Sequence, residues 1–389
     1  MAMGGTWALL NGEIEDIAKE WRLQRAERQA RRSLDAGDFA RLAAAGFHRV
    51  SVPEEMGGLW RSAAETNRPI CDILRSLAAA DPSVALVASM HTSVLGIWLA
   101  QPDPAQPRWT EQRDAVFATV ADGAQWGTIT SEPGSGGDIL RTKAQAQRWD
   151  GPRDSIRGET YRVSGDKQFG SGSGVTSYMI TTAVPEGEDA PTIFVLDLRD
   201  RPWDGSDGML LTAEWDGMGM VATQSHAMRL EGIPATRLAW DGPVEDVMMA
   251  AGPLLSTMFA SVILGVVDEA VAVARQQLEP KAAGLRPYEQ VEWSRAELEH
   301  WLAVQAYEGA LRAVESGDPA GALHAALRAK EGVAGLAEEC LRRLTRVIGG
   351  ATFSRRSPYA SWFEDVRALG FLRPPWGLAH DQLFRTSFG

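Results

Sequence analysis

Apolar positions recur at helical spacing over residues 12–46, with Ile14, Ile17 and Trp21 on one face, and this predicts helices. The run Phe47–Gly58 breaks that pattern with a proline and two glycines and reads as a turn. Helix is expected again over 62–100. Asp81 is placed to cap a helix whose first residue is Pro82, because proline has no N–H to leave unpaired there. Val84–Ala100 is almost wholly apolar, so this helix should be buried, with His91 in its middle. A proline-rich linker over 102–108 and a helix over 110–121 lead into a different pattern. From Gly123 to Gly242 short runs alternate with Gly, Pro and Asp, and the clearest strands are 178–184, 192–198 and 225–231. In the last, His226, Met228 and Leu230 alternate with Ala227, Arg229 and Glu231, the period of a half-covered sheet. From Leu254 the helical period returns over 261–278, 291–315 and 320–347, which read as a bundle packing on itself or on a second subunit.

The expected architecture is therefore α+β and multidomain. An N-terminal helical domain spans 1–122, a central β-sandwich-like domain 123–242 and a C-terminal helical bundle 243–389. A chain of 389 residues, 44% apolar, suits two or three packed units. The net charge of −12 without a long basic run argues against nucleic acid as the main partner. Two distant cysteines, Cys71 and Cys340, form no disulfide framework, which together with the absence of a signal-peptide pattern suggests a cytoplasmic setting. No apolar run is expected to cross a membrane, and the six histidines show no metal-ligand spacing, so no metal site is expected.

The chemistry concentrates in 126–178. Pro133, Gly134, Gly136 and Gly137 form a loop that can bring backbone N–H groups close to a ligand. A second glycine-rich turn offers an aromatic ring, Phe169, and a hydroxyl, Ser171. The runs Ser131-Glu132-Pro133-Gly134-Ser135-Gly136-Gly137-Asp138 and Gly165-Asp166-Lys167-Gln168-Phe169-Gly170-Ser171-Gly172, with Tyr161 and Val163 before the latter, resemble two ordered motifs of the acyl-CoA dehydrogenase superfamily. Gly349-Gly350, Phe353, Pro358 and Asp365 resemble a third.

That resemblance implies FAD between the β-domain and the C-terminal bundle of a homodimer or homotetramer. It places Thr130 and Ser131 at the flavin pyrimidine, Gly136 and Gly137 near the pyrophosphate, Phe169 beside the ring and Ser171 near N5. It also implies an oxidation of the CH–CH group of a small acyl thioester, bound to CoA or a carrier, with hydride passing to the flavin and an electron acceptor as partner. A carboxylate must remove the α-proton in that reaction. The usual position for it, counted from Asp365, is Arg373, and the position used by a minority branch is Leu255. The family's Arg-x-x-Phe-Gly is here Pro280-Lys281-Ala282-Ala283-Gly284.

These departures resemble the reduced-flavin-dependent monooxygenase branch of the same fold, with FMN or an exchangeable reduced flavin supplied by a reductase. A histidine on the buried N-terminal helix often serves that chemistry, so His91 is a candidate, and His380 could reach the site from the tail. Each has a plainer reading: His91 as a core residue and His380 as a surface one. A scaffold that kept the fold and lost the chemistry is the third alternative. Arg355 and Arg356 either grip a phosphate such as that of CoA or are simply solvated.

Overall fold

The computed structural model describes residues 2–100, 106–151, 156–372 and 374–388. Six helices come first: α1 (Ala2–Leu23), α2 (Arg25–Ala30), α3 (Ala36–Ala44), α4 (Ala63–Ala80), α5 (Pro82–Leu99) and α6 (Pro107–Ala121). Seven strands follow: β1 (Trp126–Thr128), β2 (Gln145–Arg148), β3 (Thr160–Gly170), β4 (Tyr178–Pro185), β5 (Thr192–Asp197), β6 (Met209–Ala213) and β7 (His226–Arg237). Five helices end the chain: α7 (Val244–Leu278), α8 (Pro287–Glu315), α9 (Pro319–Ile348), α10 (Tyr359–Gly370) and α11 (Trp376–Phe388). Helices, sheet, helices is thus the order seen. The expected linker over 102–108 lies largely outside the described residues, and α6 opens at Pro107.

Local chemistry explains the breaks. Asp35, Ser62 and Asp81 each accept a backbone N–H with their side chains, starting α3, α4 and α5. Asp81 has a second use: its carboxylate takes Arg28 Nε at 2.7 Å, while Arg28 Nη2 reaches Asp38 at 2.6 Å. One buried guanidinium so ties α2 to the starts of α3 and α5. Helix α7 departs from expectation, for it begins ten residues before Leu254 and runs through Pro253. Proline forfeits one helical hydrogen bond, and Thr257 Oγ1 donates to the Pro253 carbonyl at 2.9 Å within the same stretch. Asn67 of α4 donates to Thr257 at 3.0 Å, so the proline sits in a well-braced turn.

The central sheet curls on itself. β4 pairs with β5 on one side and with β1 and β2 on the other; β2 pairs with β3, β3 with β7, and β7 closes back on β5 and carries β6. Its two packed faces come from one continuous sheet. The larger core does not respect the order of the chain. Ile14, Ile17 and Trp21 of α1, Leu74 and Leu77 of α4, and Ile263, Val266 and Val267 of α7 lie in one buried cluster with Leu341, Trp362 and Val366. Helix α5 and residues 244–284 are long and apolar enough to span a membrane by length and composition, contrary to the sequence expectation. Their most apolar windows are 94% and 72% buried inside the protein, so the protein's own core accounts for their apolarity.

Helices α4 and α7 touch at Gly265. A Cβ there would stand 2.2 Å from the Arg75 carbonyl oxygen and 2.7 Å from Ala78 Cβ. Gly265→Ala gains helix propensity but forces the two backbones apart. We expect a net loss of about 2 kcal/mol, read from urea or thermal unfolding.

Candidate functional site

The two glycine-bearing motifs are joined by a buried ion pair. Lys167 is the only charged residue of β3 whose side chain is wholly enclosed among the described residues of that strand. Its Nζ lies 2.5 Å from Glu132 Oε1 and donates to the Thr182 carbonyl at 2.6 Å. Glu132 also accepts the Lys143 N–H at 2.7 Å and the Thr142 hydroxyl. Burial alone would raise the Glu132 carboxyl; the hydrogen bonds from Lys167, Thr142 and the Lys143 N–H outweigh it and hold the group below its usual range. Glu132 and Lys167 therefore fix the loop 132–144 to β3 and β4, and both are buried.

Above this pair lies a cavity of about 360 Å³. Its walls come from four places. Leu86, Met90, Ser93, Val94 and Ile97 project from α5; Thr130, Ser131, Phe169, Ser171 and Thr182 from the sheet; Trp215, Met220 and Ser225 from the β6–β7 connection; and Leu255, Phe259, Phe371 and Leu372 from the C-terminal helices and the α10 end. No charged side chain lines it among the described residues. Two larger clefts, of about 520 and 620 Å³, are lined by mixed charges such as Glu13 and Arg41, or Glu159 and Arg237.

Thr130, Ser131, Phe169 and Ser171, singled out in the sequence, thus meet in one cavity. Phe169 holds φ +59°, unusual for a residue with a Cβ, at a bulge where β3 slips against β7. Half its ring stays exposed, edge-on to Trp215 at 6.0 Å. Gly136 and Gly137 do not line the cavity. Gly136 has φ +65° and open space where a Cβ would point, and Gly137 has φ +82° and packs so closely on Pro375 that a Cβ would lie 2.4 Å from its Cγ.

Neither of the two histidines chosen for proton chemistry lines the cavity. His91 is fully buried on the neighbouring face of α5, because Leu86, Met90, Val94 and Ile97 already occupy the cavity face at helical spacing. Its Nδ1 accepts the Trp126 N–H at 3.1 Å, which leaves the proton on Nε2, and its ring centroid lies 5.0 Å from that of His48. Burial, with His48 beside it, holds the imidazole well below its usual pKa. His380 is exposed on α11, its Nε2 3.9 Å from Glu331. Arg373 lies outside the described residues.

Several cavity residues carried no strong sequence signal. Thr182 Oγ1 is buried without a hydrogen-bond partner, and the residue lines the cavity. Trp215 is set by its N–H to His226 Nδ1 at 2.9 Å and its Nε1 to the Met220 carbonyl at 2.8 Å. Met220, at φ +52°, is itself held by Asp365, whose Oδ1 accepts the Met220 N–H at 2.6 Å. Burial, with Asp81 and Glu364 adding repulsion, outweighs that hydrogen bond and pushes the Asp365 carboxyl up to about 7. The aspartate known from the sequence only as part of a motif is thus the anchor of one cavity wall.

Two outcomes are expected. Lys167→Met leaves Glu132 buried and uncompensated and should cost about 3–5 kcal/mol at neutral pH. Because the folded Glu132 pKa is depressed, the pair's contribution is full above its ordinary value of 4.5 and is lost as pH falls through the lower folded value, so the gap between wild type and variant should narrow in acid. Asp365 has the opposite sign. The folded state keeps a proton that the unfolded chain releases, so this residue makes stability decline as pH rises from 3.8 to about 7. Asp365→Asn keeps an acceptor for Met220 and should raise stability at pH 8 by on the order of 1–3 kcal/mol, the gain shrinking toward pH 4 in pH-resolved melts.

Residues 7–106 match the family model for the acyl-CoA dehydrogenase N-terminal domain. An amino sugar nitrososynthase, DnmZ of Streptomyces peucetius, is 24% identical over 86% of this chain and 82% of its own. Butyryl-CoA dehydrogenase from Megasphaera elsdenii superposes with a TM-score of 0.81 at 18% identity, covering 100% of this chain and 98% of the other. FMN-bound TdsC from Paenibacillus sp. A11-2, a dibenzothiophene monooxygenase, gives 0.77 at 19% identity over 98% and 97%. Residues 7–106 thus match the acyl-CoA dehydrogenase N-terminal domain, and the chain as a whole has the acyl-CoA dehydrogenase-like fold.

Proposed function

We propose that the cavity binds the ring of a flavin and that the protein is a reduced-flavin-dependent monooxygenase acting on a small, largely apolar substrate. One observation carries this reading: no Asp or Glu lines the cavity among the described residues, and Leu255, where one branch of the family would hold its catalytic carboxylate, is itself part of the apolar wall. Removal of an α-proton from a thioester needs a base within hydrogen-bond reach. Oxygen transfer to an electron-rich atom of a substrate needs a dry, apolar chamber instead.

The residues present fit a flavin. Phe169 and Trp215 offer flat faces, Thr130, Ser131 and Ser171 offer polar edges, and Thr182 Oγ1 is a buried hydroxyl without a partner. The φ +65° turn at Gly136 leaves room for a phosphate beside the loop. A bound flavin supplies two-electron chemistry and, when reduced, activation of dioxygen. The chain's own part is to orient the ring between Phe169 and the α5 face and to exclude water with Leu86, Met90, Phe259 and Leu372. Lys281 is exposed in the segment that stands where the family holds its pyrophosphate arginine, which suits FMN at least as well as FAD.

The same reading implies a flavin reductase as partner and assembly as a homo-oligomer. Tyr288, Val291, Leu298, Trp301 and Leu302 form an exposed apolar stripe on α8, the kind of face that a second copy covers. TdsC, named a dibenzothiophene monooxygenase, and DnmZ, named an amino sugar nitrososynthase, lend the reading support; butyryl-CoA dehydrogenase marks the alternative.

The test supplies chemically reduced FMN, or FAD, with ¹⁸O₂ and a panel of thiophenes, indoles and amino sugars. One ¹⁸O atom per product molecule is expected. Anaerobic butyryl-CoA should leave bound oxidised flavin unbleached. Bleaching would replace this proposal with a dehydrogenase, and failure to bind either flavin would point to a scaffold.

A further inference from the structure

Three hydroxyls form a relay that runs inward from the cavity wall. Ser171 Oγ lies 2.9 Å from Ser225 Oγ, and Ser225 Oγ lies 2.7 Å from Thr223 Oγ1. Thr223 Oγ1 lies 2.8 Å from the Met220 carbonyl oxygen, which can only accept. Each hydroxyl has one proton to give. Thr223 spends its proton on the carbonyl, so it can only accept from Ser225. Ser225 is then committed to Thr223 and can only accept from Ser171. All three groups are buried, and Ser171 and Ser225 line the cavity. The far end of the relay is rigid: the Met220 peptide is held by Asp365 Oδ1 on its N–H and by Trp215 Nε1 on its carbonyl.

We infer that this relay sets the polarity of Ser171, so that it offers the cavity an acceptor rather than a proton and makes the site select the reduced state of flavin over the oxidised one. The step rests on the proposal that the cavity holds flavin. The oxidised ring has bare nitrogen acceptors where the reduced ring carries N–H. An acceptor at Ser171 satisfies the reduced ring directly. To serve the oxidised ring, either Ser171 turns alone and gives up its bond to Ser225, or all three hydroxyls rotate and the Met220 carbonyl loses the Thr223 hydroxyl. The difference is about one hydrogen bond, a preference on the order of 5- to 10-fold. Ser225 and Thr223 are then positioning residues, acting on the ligand through Ser171.

The experiment measures dissociation constants of oxidised and of reduced FMN, the latter anaerobically, for the wild-type protein and its variants. Wild type should bind reduced FMN about 5- to 10-fold tighter. Equivalently, the two-electron potential of bound FMN should rise, by about 30 mV for a tenfold preference. Thr223→Val removes the acceptor that commits Ser225, and Ser225→Ala removes the acceptor that commits Ser171; in both the preference should vanish or invert. Thr223→Ser keeps the hydroxyl and should retain the preference, which separates relay polarity from a general loss of packing. Equal or tighter binding of oxidised FMN by wild type, or a preference unchanged in Thr223→Val, overturns the inference while leaving the flavin site intact. Binding of neither state overturns the flavin reading and the inference with it.

Discussion

The buried contact between Lys167 and Glu132 is the constraint on which the site depends. Two charges are withdrawn from water together, and each must be fully paired for that to be tolerable. Lys167 meets this need by reaching both the Glu132 carboxylate and the Thr182 carbonyl. In doing so it fixes three pieces of backbone at once: the loop after β1, strand β3 and strand β4. Thr130 and Ser131 lie on the first, Phe169 and Ser171 at the end of the second, and Thr182 on the third. The polar rim of the cavity is arranged by a pair that never faces it.

A second contact does the same for the opposite wall. Asp365 on α10 holds Met220 of the β6–β7 connection, and from Met220 the order passes to Trp215, Thr223, Ser225 and Ser171. Gly219 makes the docking close, since a Cβ there would stand 2.1 Å from the Glu364 carbonyl oxygen. The β-domain and the C-terminal helices so share one hydrogen-bonded line. A buried carboxylate with a pKa near neutrality is costly for stability, and here it sets the geometry of a cavity wall.

The apolar character of the cavity has a further consequence. With no charge among its described lining residues, orientation of a ligand depends on hydroxyls and aromatic edges. Hydroxyls can donate or accept, so their direction must be decided elsewhere, and here a backbone carbonyl decides it. The histidine pair His48 and His91 lies outside this arrangement. Held by the Trp126 N–H and kept neutral by burial, His91 braces α5 against β1.

Much of this was legible in the chain itself. The period of apolar residues changes from helical to alternating and back, and the caps at Asp81 and Pro82 mark a helix start that the structure reproduces. Two glycine-bearing motifs offered Phe169 and Ser171 in a tight turn, and their resemblance to a known family added Thr130 and Ser131. What lay beyond reach was decided by packing. The phase of α5 turns Met90 toward the cavity and His91 away from it, and that phase is set by which face of α5 meets α7 and β1. Glu132 and Lys167 are 35 residues apart and Met220 and Asp365 are 145 apart. Thr182 has no local signal at all. Local sequence determines where a helix or turn can form, since those preferences act over a few residues. Which side chains face a common space is settled only when distant elements pack and each buried polar group must find a partner.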